Sequence, residues 1–234
     1  MKDKQIIVLM GGPSEEAEVS RRTGAAIAEA LVSKGYKAQT LELNPRTVLK
    51  DIDSLGGEVV FNAIHGRYGE DGALQGLLEM AEIPYTGSGI MAHAVGMNKK
   101  VSKDVFKGAN IPTARSESYN GNLESAEAII DHIRKEFTIP VVVKSATQGS
   151  SIGVTIVREE SQLEAAVTEA LKYDPILVGE QFLVWQQMCG HIGLAKERAE
   201  DTFLFLGRFG DPVAFQELFY ILIIHNSQFY RIAF

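Results

Sequence analysis

The sequence predicts an α/β protein built from two successive units, and three observations lead to that prediction. Strand-like apolar runs alternate with helical patterns through the first 180 residues. A chain of 234 residues is long enough for two compact domains. Strands and helices alternate before Pro112 in the β–α–β–α order that is typical of a parallel sheet, and a second group of elements follows.

The elements of the N-terminal unit follow from hydrophobic periodicity. The predicted strands are IIVLM (6–10), KAQTLEL (37–43) and EVVFNAI (58–64). The predicted helices are an amphipathic one over 14–34, ALQGLLEMA after a glycine-rich loop, and MAHAVGMNKKVSKDVFKGA (91–109). Pro112 cannot continue a helix and marks the end of the last one. We expect the boundary between the units at 112–118.

The second unit is predicted from the same signals. LESAEAIIDHIRKEF is helical, with Asn122 as its expected N-cap, and LEAAVTEALK is a second helix. VVVKSA and SIGVTIV are strands on either side of TQGS, and PILVGEQF is a further strand. These elements predict a hairpin with a Gly/Ser turn, followed along the chain by a helix and a further strand.

Composition excludes several classes of function. The formal net charge is −7 and the pI is about 5.3, which argues against nucleic acid or an anionic membrane as the main partner. Cys189 is the only cysteine, so an intrachain disulfide is impossible and a reducing cytoplasm is the expected location. No window reaches the roughly 18 apolar residues of a membrane span.

The stretch GGPSEEAEVS places three glutamates at the start of the first helix. On a helical wheel, Val19, Thr23 and Ile27 belong to an apolar stripe that also includes Glu16, whereas Glu18 lies on the opposite face beside Arg22. All three acids fit the helix macrodipole. A carboxylate that faces inward needs a partner, however, and a substrate ammonium is one candidate for Glu16.

The loop HGRYGEDGALQG begins at His65, where a predicted strand ends. Ligands of open α/β sheets gather at the carboxyl ends of strands, so His65 is a candidate ligand contact, although a purely structural imidazole fits the sequence too. Glu70 and Asp71 could cap the helix that follows.

Two lysines stand beside glycine-rich turns. Lys99 follows GSGIMA (87–92), a weak match to the dinucleotide fingerprint that more simply indicates a turn. Lys144 precedes TQGSSIG, whose backbone N–H groups could hold a triphosphate while the lysines neutralise it. The alternative is an ordinary hairpin turn with solvated lysines. The strand ILVGEQF and the Phe182 ring could contact an adenine, as could many core strands.

These segments together resemble the D-alanine–D-alanine ligases of the ATP-grasp superfamily, in the right order over about residues 4–183. The resemblance implies a Rossmann-like N-terminal domain over 1–112 and an ATP-grasp α+β domain over 113–183. It also implies a third domain. The tail 184–234 has none of that domain's signatures, and seven of the eleven phenylalanines follow residue 200. We therefore expect the tail to be replaced sequence, as a frameshift would give.

The resemblance also implies roles for individual residues. Glu16 matches the glutamate that contacts the first D-alanine, Ser150 matches the serine that joins it in a hydrogen-bonded triad, and His65 matches a substrate-binding histidine. The residues that match the family's ATP-binding positions are Lys99, Lys144, Gly149, Ser151, Glu180, Gln181 and Phe182. Asn98 and Ser145 stand where the family usually has aspartate and proline.

The implied reaction joins two D-alanines with ATP through an acyl phosphate, for peptidoglycan synthesis. ATP and Mg²⁺ are the implied cofactor set, although the metal ligands of the family are not found in this sequence. We therefore expect little turnover from this chain, and the alternative is an inactive fragment that binds nucleotide or D-alanine weakly. Members of the family are commonly dimers, so a homodimer is the expected assembly.

Overall fold

A computed structural model describes residues 2–149 and 151–183 of the chain. The chain divides into two compact units, of which the first ends at Met97 and the second begins at Asn98. This division lies upstream of the boundary expected at 112–118, and the domain boundary at residue 112 remains a prediction. Among the described residues, no helix has the length and apolar character needed to span a bilayer.

The described part of the first unit is a small parallel α/β layer. Its strands are β1 (Gln5–Met10), β2 (Lys37–Glu42) and β3 (Val59–Asn62). Its helices are α1 (Ala17–Ser33), α2 (Val48–Ser54), α3 (Ala73–Met80) and α4 (Ile90–Met97). The strand order is β2-β1-β3 with both pairs parallel, as the β–α–β pattern predicted. The carboxyl ends of β1 and β3 therefore lie side by side.

The face that α1 turns toward the protein overlaps the predicted stripe only in part, because Ile27 packs against the core but the fully buried positions are others. Its buried residues are Ser20, Gly24 and Ala28, whereas Val19 is 43% exposed. Small residues allow this helix to approach the sheet closely, because a Cβ added at Gly24 would lie 2.6 Å from the Cβ of Met10. Glu18 is exposed as predicted, but its ion-pair partner is Arg21 at 3.4 Å instead of Arg22.

The second unit contains an antiparallel sheet of order β4-β7-β5-β6 within its described residues. Its strands are β4 (Ser116–Asn120), β5 (Val141–Ser145), β6 (Val154–Val157) and β7 (Ile176–Gln181). Its helices are α5 (Lys99–Gly108), α6 (Ala126–Glu136) and α7 (Leu163–Tyr173). The predicted hairpin of β5 and β6 is present, with Lys144 opposite Val154.

Three predictions of secondary structure near and within the second unit are corrected. The helix expected over 91–109 is divided, because Asn98 has extended backbone and its side chain accepts a hydrogen bond from Val101 N at 3.2 Å. The N-cap of α6 is Ser125, which accepts from Ala128 N at 3.2 Å, and not Asn122. Strand β4, with the sequence SESYN, was not predicted because it is polar.

Candidate functional site

Glu16 lies at the N-terminus of α1, against the loop that follows β3. Its side chain is half-buried, and a Cβ added at Gly66 would lie 3.0 Å from Glu16 Oε2. Gly66 also has a φ of 73°, so a side chain at this position would meet both backbone strain and the carboxylate. Ser14 Oγ donates to the carbonyl oxygen of His65 at 2.8 Å and ties the two loops together. Glu16 therefore faces the loop after β3, as predicted, and the stripe that suggested this is present in part, because Ile27 packs against the core whereas Val19 is exposed.

Glu70 is a second carboxylate close to Glu16, in the loop that follows β3. It was predicted as a helix cap, but its Oε2 instead accepts a hydrogen bond from Gly66 N at 2.7 Å. Asp71 does act near the helix start, because its Oδ1 accepts from Ala73 N at 3.0 Å. Burial raises the pKa of Glu70, and the nearby Glu16 carboxylate raises it further, while Gly66 N–H and His65 act in the opposite direction. We call Glu16, His65 and Glu70 the acidic cluster.

The loop that contains His65 and Glu70 is fixed by hydrogen bonds to the carbonyl oxygen of Gly69. The carbonyl oxygen of Gly69 accepts hydrogen bonds from Gln75 Nε2 at 2.7 Å and from Asn62 Nδ2 at 2.8 Å. Gln75 is fully buried, and a Cβ added at Gly69 would lie 2.3 Å from the Cβ of Ile64. The hydrogen bonds from two amide side chains and the close packing at Gly69 therefore fix the position of this loop.

The raised pKa of Glu70 has a measurable consequence for stability. The folded state binds the Glu70 proton more tightly than the unfolded state does, so stability should fall as pH rises from about the usual glutamate pKa through the folded-state pKa. Glutamine can accept the same bond from Gly66 N without a charge. We expect Glu70→Gln to stabilise the protein increasingly as pH rises, in urea unfolding followed by circular dichroism. Glu29→Gln, on the exposed side of α1, is the control, and a pH-independent difference would contradict the prediction.

The second site lies within the second unit, where two lysines bind one carboxylate. Glu180 on β7 is fully buried, and Lys144 Nζ lies 3.2 Å from its Oε1. Lys103 Nζ on α5 lies 2.7 Å from its Oε2. Burial alone would raise the pKa of Glu180, but the two ammonium groups outweigh burial and lower it. We call Lys103, Lys144 and Glu180 the lysine–glutamate cluster.

Lys99 lies next to the turn after β5. Its backbone N–H donates to the carbonyl oxygen of Ala146 at 2.9 Å, and its ammonium donates to the carbonyl oxygen of Gln148. Thr147 donates to the buried carboxylate of Asp174, whose other oxygen accepts from Ile176 N at 2.7 Å. The turn that follows Lys144 is therefore held by an ammonium on one side and by Asp174 on the other.

The remaining predicted nucleotide contacts are dispersed along this turn and β7. Gly149 is half-buried, Ser151 is exposed, and Ser150 lies outside the described residues. Gln181 N donates to the carbonyl oxygen of Arg115 at 2.9 Å. The Phe182 ring lies beneath the Arg158 guanidinium, 5.4 Å from its carbon to the ring centre. The structure thus brings Lys144 and Glu180 together, and places Lys99 at the turn that follows Lys144.

The sequence did not predict that Lys103 belongs to a candidate site, or that Glu180 pairs with two buried lysines. Lys103 is 2% exposed although it lies on a strongly charged helix, KKVSKDVFKG, where lysines are ordinarily solvated. A signal was nevertheless available in ILVGEQ, because a glutamate in an otherwise apolar central strand requires a buried cation.

Two family models match the chain. The one described as D-ala D-ala ligase N-terminus matches residues 37–88, and the one described as D-ala D-ala ligase C-terminus matches residues 105–201. The second match continues beyond Leu183, the residue at which the resemblance was expected to end. That expectation is corrected for residues 184–201.

Curated relatives and solved structures agree with these matches. The D-alanine–D-alanine ligase of Geotalea uraniireducens is 42% identical over 199 residues, which are 85% of this chain and 62% of the relative. That of Moorella thermoacetica is 46% identical over 185 residues, which are 76% of this chain and 58% of the relative. The chain thus spans about three fifths of the length of these relatives.

The solved structures extend the likeness to the fold. The D-alanine–D-alanine ligase of Bacillus anthracis has a TM-score of 0.67 and 31% identity, covering 77% of this chain and 58% of that one. A structure of the Bacillus anthracis ligase complexed with ATP has a TM-score of 0.65 and 28% identity, with coverages of 77% and 59%. Family models, relatives and fold therefore agree that the chain belongs to the D-alanine–D-alanine ligase family of ATP-grasp proteins.

Proposed function

We propose that the chain takes part in ATP-dependent ligation of two D-alanines to D-alanyl-D-alanine, through an acyl phosphate, for peptidoglycan synthesis. The observation that supports this most is the lysine–glutamate cluster at the end of β5, directly before the glycine-rich turn. Lys144 lies near the end of β5 with its Nζ 3.2 Å from the buried Glu180 carboxylate, and an ammonium beside a glycine-rich turn complements a nucleotide phosphate. The related ligase of Bacillus anthracis has been solved complexed with ATP.

In this proposal the second unit binds ATP and the acidic cluster of the first unit binds the first D-alanine. Lys99 and Lys144 hold the phosphates, while the turn containing Gly149, Ser150 and Ser151 covers them with backbone N–H groups. Gln181 and Phe182 contact the adenine at the end of β7.

The acidic cluster binds the amino acid. Glu16 accepts the ammonium of the first D-alanine and His65 contacts the same substrate, while family membership alone supports Ser150 as a further substrate contact. The protein's contribution is to position the reacting groups and to neutralise the charge that develops on the phosphates and on the tetrahedral intermediate.

The family also implies Mg²⁺. Within residues 2–149 and 151–183, no group of three or more histidine, cysteine, aspartate or glutamate side chains is placed to hold one ion. We therefore assign no step to a metal. A homodimer and a cytoplasmic location complete the proposal, supported by family membership and by the single cysteine.

Two measurements on the full chain test this function. We expect ATP with Mg²⁺ to raise the thermal unfolding midpoint, and D-alanine to raise it further where L-alanine does not. A coupled assay of ADP release on adding D-alanine then separates ligation from the alternative. Release supports a working ligase, and stabilisation without release supports an inactive chain that retains binding. If neither ligand raises the midpoint, the proposal is wrong.

A further inference from the structure

Gln75 is a buried polar residue in the first turn of α3. It is fully buried, and its neighbours in the helix, Leu74 and Leu78, belong to the apolar core of the first unit. Its Nε2 donates to the carbonyl oxygen of Gly69 at 2.7 Å, while no donor among the described residues bonds to its Oε1. An apolar side chain at this position would avoid the cost of burying an amide. Packing of the core alone therefore gives no reason for a glutamine here.

The peptide group between Gly69 and Glu70 connects Gln75 to the acidic cluster. Its carbonyl oxygen accepts from Gln75, and its N–H donates to the carbonyl oxygen of Gly66 at 3.0 Å. The Glu70 carboxylate accepts in return from Gly66 N at 2.7 Å. The Glu16 carboxylate lies against Gly66, because a Cβ added there would be 3.0 Å from Glu16 Oε2. A continuous path of hydrogen bonds therefore leads from Gln75 to Gly66, beside Glu16.

We propose that Gln75 is a positioning residue for the acidic cluster: by fixing the carbonyl oxygen of Gly69, its amide holds the loop after β3 against Glu16. This inference rests on the proposed function, because it takes the acidic cluster as the binding site of the first D-alanine. Gln75 is fully buried and acts through the loop, not by contact with the substrate. Its loss should weaken D-alanine binding without weakening the fold.

Gln75→Met separates positioning from stability. Methionine has nearly the same length and volume, and the carbonyl oxygen of Gly69 keeps its bond from Asn62 Nδ2 at 2.8 Å, so no buried acceptor is left unpaired. We therefore expect an unchanged or higher free energy of unfolding in urea. The affinity for D-alanine should fall about five- to tenfold, as the loss of one hydrogen bond between neutral groups allows. Calorimetric titration of the full chain, with a non-hydrolysable ATP analogue present, measures the affinity.

The matched control is Leu78→Met. Leu78 is also fully buried in α3, one turn after Gln75. This substitution introduces the same side chain into the same helix but removes no hydrogen bond. The variant should bind D-alanine as the wild-type chain does.

Hydrogen exchange measured by NMR follows the loop directly and needs no ligand. The N–H groups of Gly66 and Glu70 form the two hydrogen bonds between these residues. Both should exchange faster in Gln75→Met than in the wild-type chain, while the N–H groups of β1 exchange no faster. Leu78→Met should leave the exchange at Gly66 and Glu70 unchanged.

Three results would contradict the inference. If Gln75→Met binds D-alanine like the wild type, or if exchange at Gly66 and Glu70 is unchanged, Gln75 does not position the cluster. If its affinity falls together with a clearly lower free energy of unfolding, Gln75 serves only the fold. A wild-type chain that binds no D-alanine refutes the proposed function instead, and the exchange rates then still decide whether Gln75 holds the loop.

Discussion

Glu180→Gln should lower the free energy of unfolding of the second unit by about 3–5 kcal/mol, the usual cost of removing one partner from a buried ion pair. Glu180 is fully buried between Lys103 and Lys144. The amide of glutamine keeps the shape of the side chain but leaves two ammonium groups facing each other in a low-dielectric interior. Urea unfolding followed by circular dichroism measures the loss.

The control for this variant is Glu169→Gln. Glu169 also binds one lysine, Lys172, but the pair is on the surface, so its removal should change stability little. Equal effects of the two substitutions would show that Glu180 is not held as the structure describes.

The pH dependence of stability gives an independent check of the same cluster. Because the pKa of Glu180 is lowered in the folded state, its stabilising effect is complete above the usual glutamate pKa and is lost as pH falls through the lower, folded-state value. The wild-type chain should therefore lose stability in acid more steeply than Glu180→Gln does.

Glu16→Gln should abolish most of the binding of D-alanine, raising the dissociation constant by about 10- to 100-fold, as expected when a charged hydrogen-bond partner becomes neutral. Glu16 is half-buried over Gly66 and close to Glu70. Glutamine offers an oxygen of the same shape but no charge for the substrate ammonium. Calorimetric titration with D-alanine in the presence of ATP measures the effect.

Glu18→Gln is the matched control for this prediction. Glu18 lies two residues further along the same helix start, and its side chain is 72% exposed beside Arg21. This substitution should leave D-alanine binding unchanged. If Glu16→Gln binds D-alanine as well as Glu18→Gln does, Glu16 only begins the helix, as its macrodipole position also allows.

Much of the fold could be predicted because its strands have strong local signals. IIVLM and VVVKS are apolar runs that form β1 and β5, with all five residues of β5 buried. The buried face of α1 could not be predicted in the same way. Ser20, Gly24 and Ala28 have little hydrophobicity. The close approach to Met10 excludes a side chain at Gly24, and Ser20 is held by hydrogen bonds with Gly11 N and the carbonyl oxygen of Ala63.

The residues of the candidate sites likewise differ in how far local sequence predicts them. Lys144 and the following turn could be predicted because lysine and glycine stand together in the sequence. The burial of Lys103 could not be predicted, because it depends on an ion pair with Glu180. The two residues are distant in the sequence, but Lys103 Nζ lies 2.7 Å from Glu180 Oε2 in the fold. Glu70 could be assigned only after its bond to Gly66 N distinguished it from a helix cap.

The most direct test of a nucleotide site in the second unit is the ratio of the dissociation constants of adenosine and ATP, measured by calorimetry on the wild-type chain and on Lys144→Met. In the proposed function Lys99 and Lys144 attract the phosphates of ATP, so ATP should bind at least about tenfold more tightly than adenosine to the wild-type chain. Lys144→Met should remove most of that advantage without changing adenosine binding. Equal affinities for ATP and adenosine in the wild-type chain, or an advantage for ATP that survives Lys144→Met, would contradict the assignment.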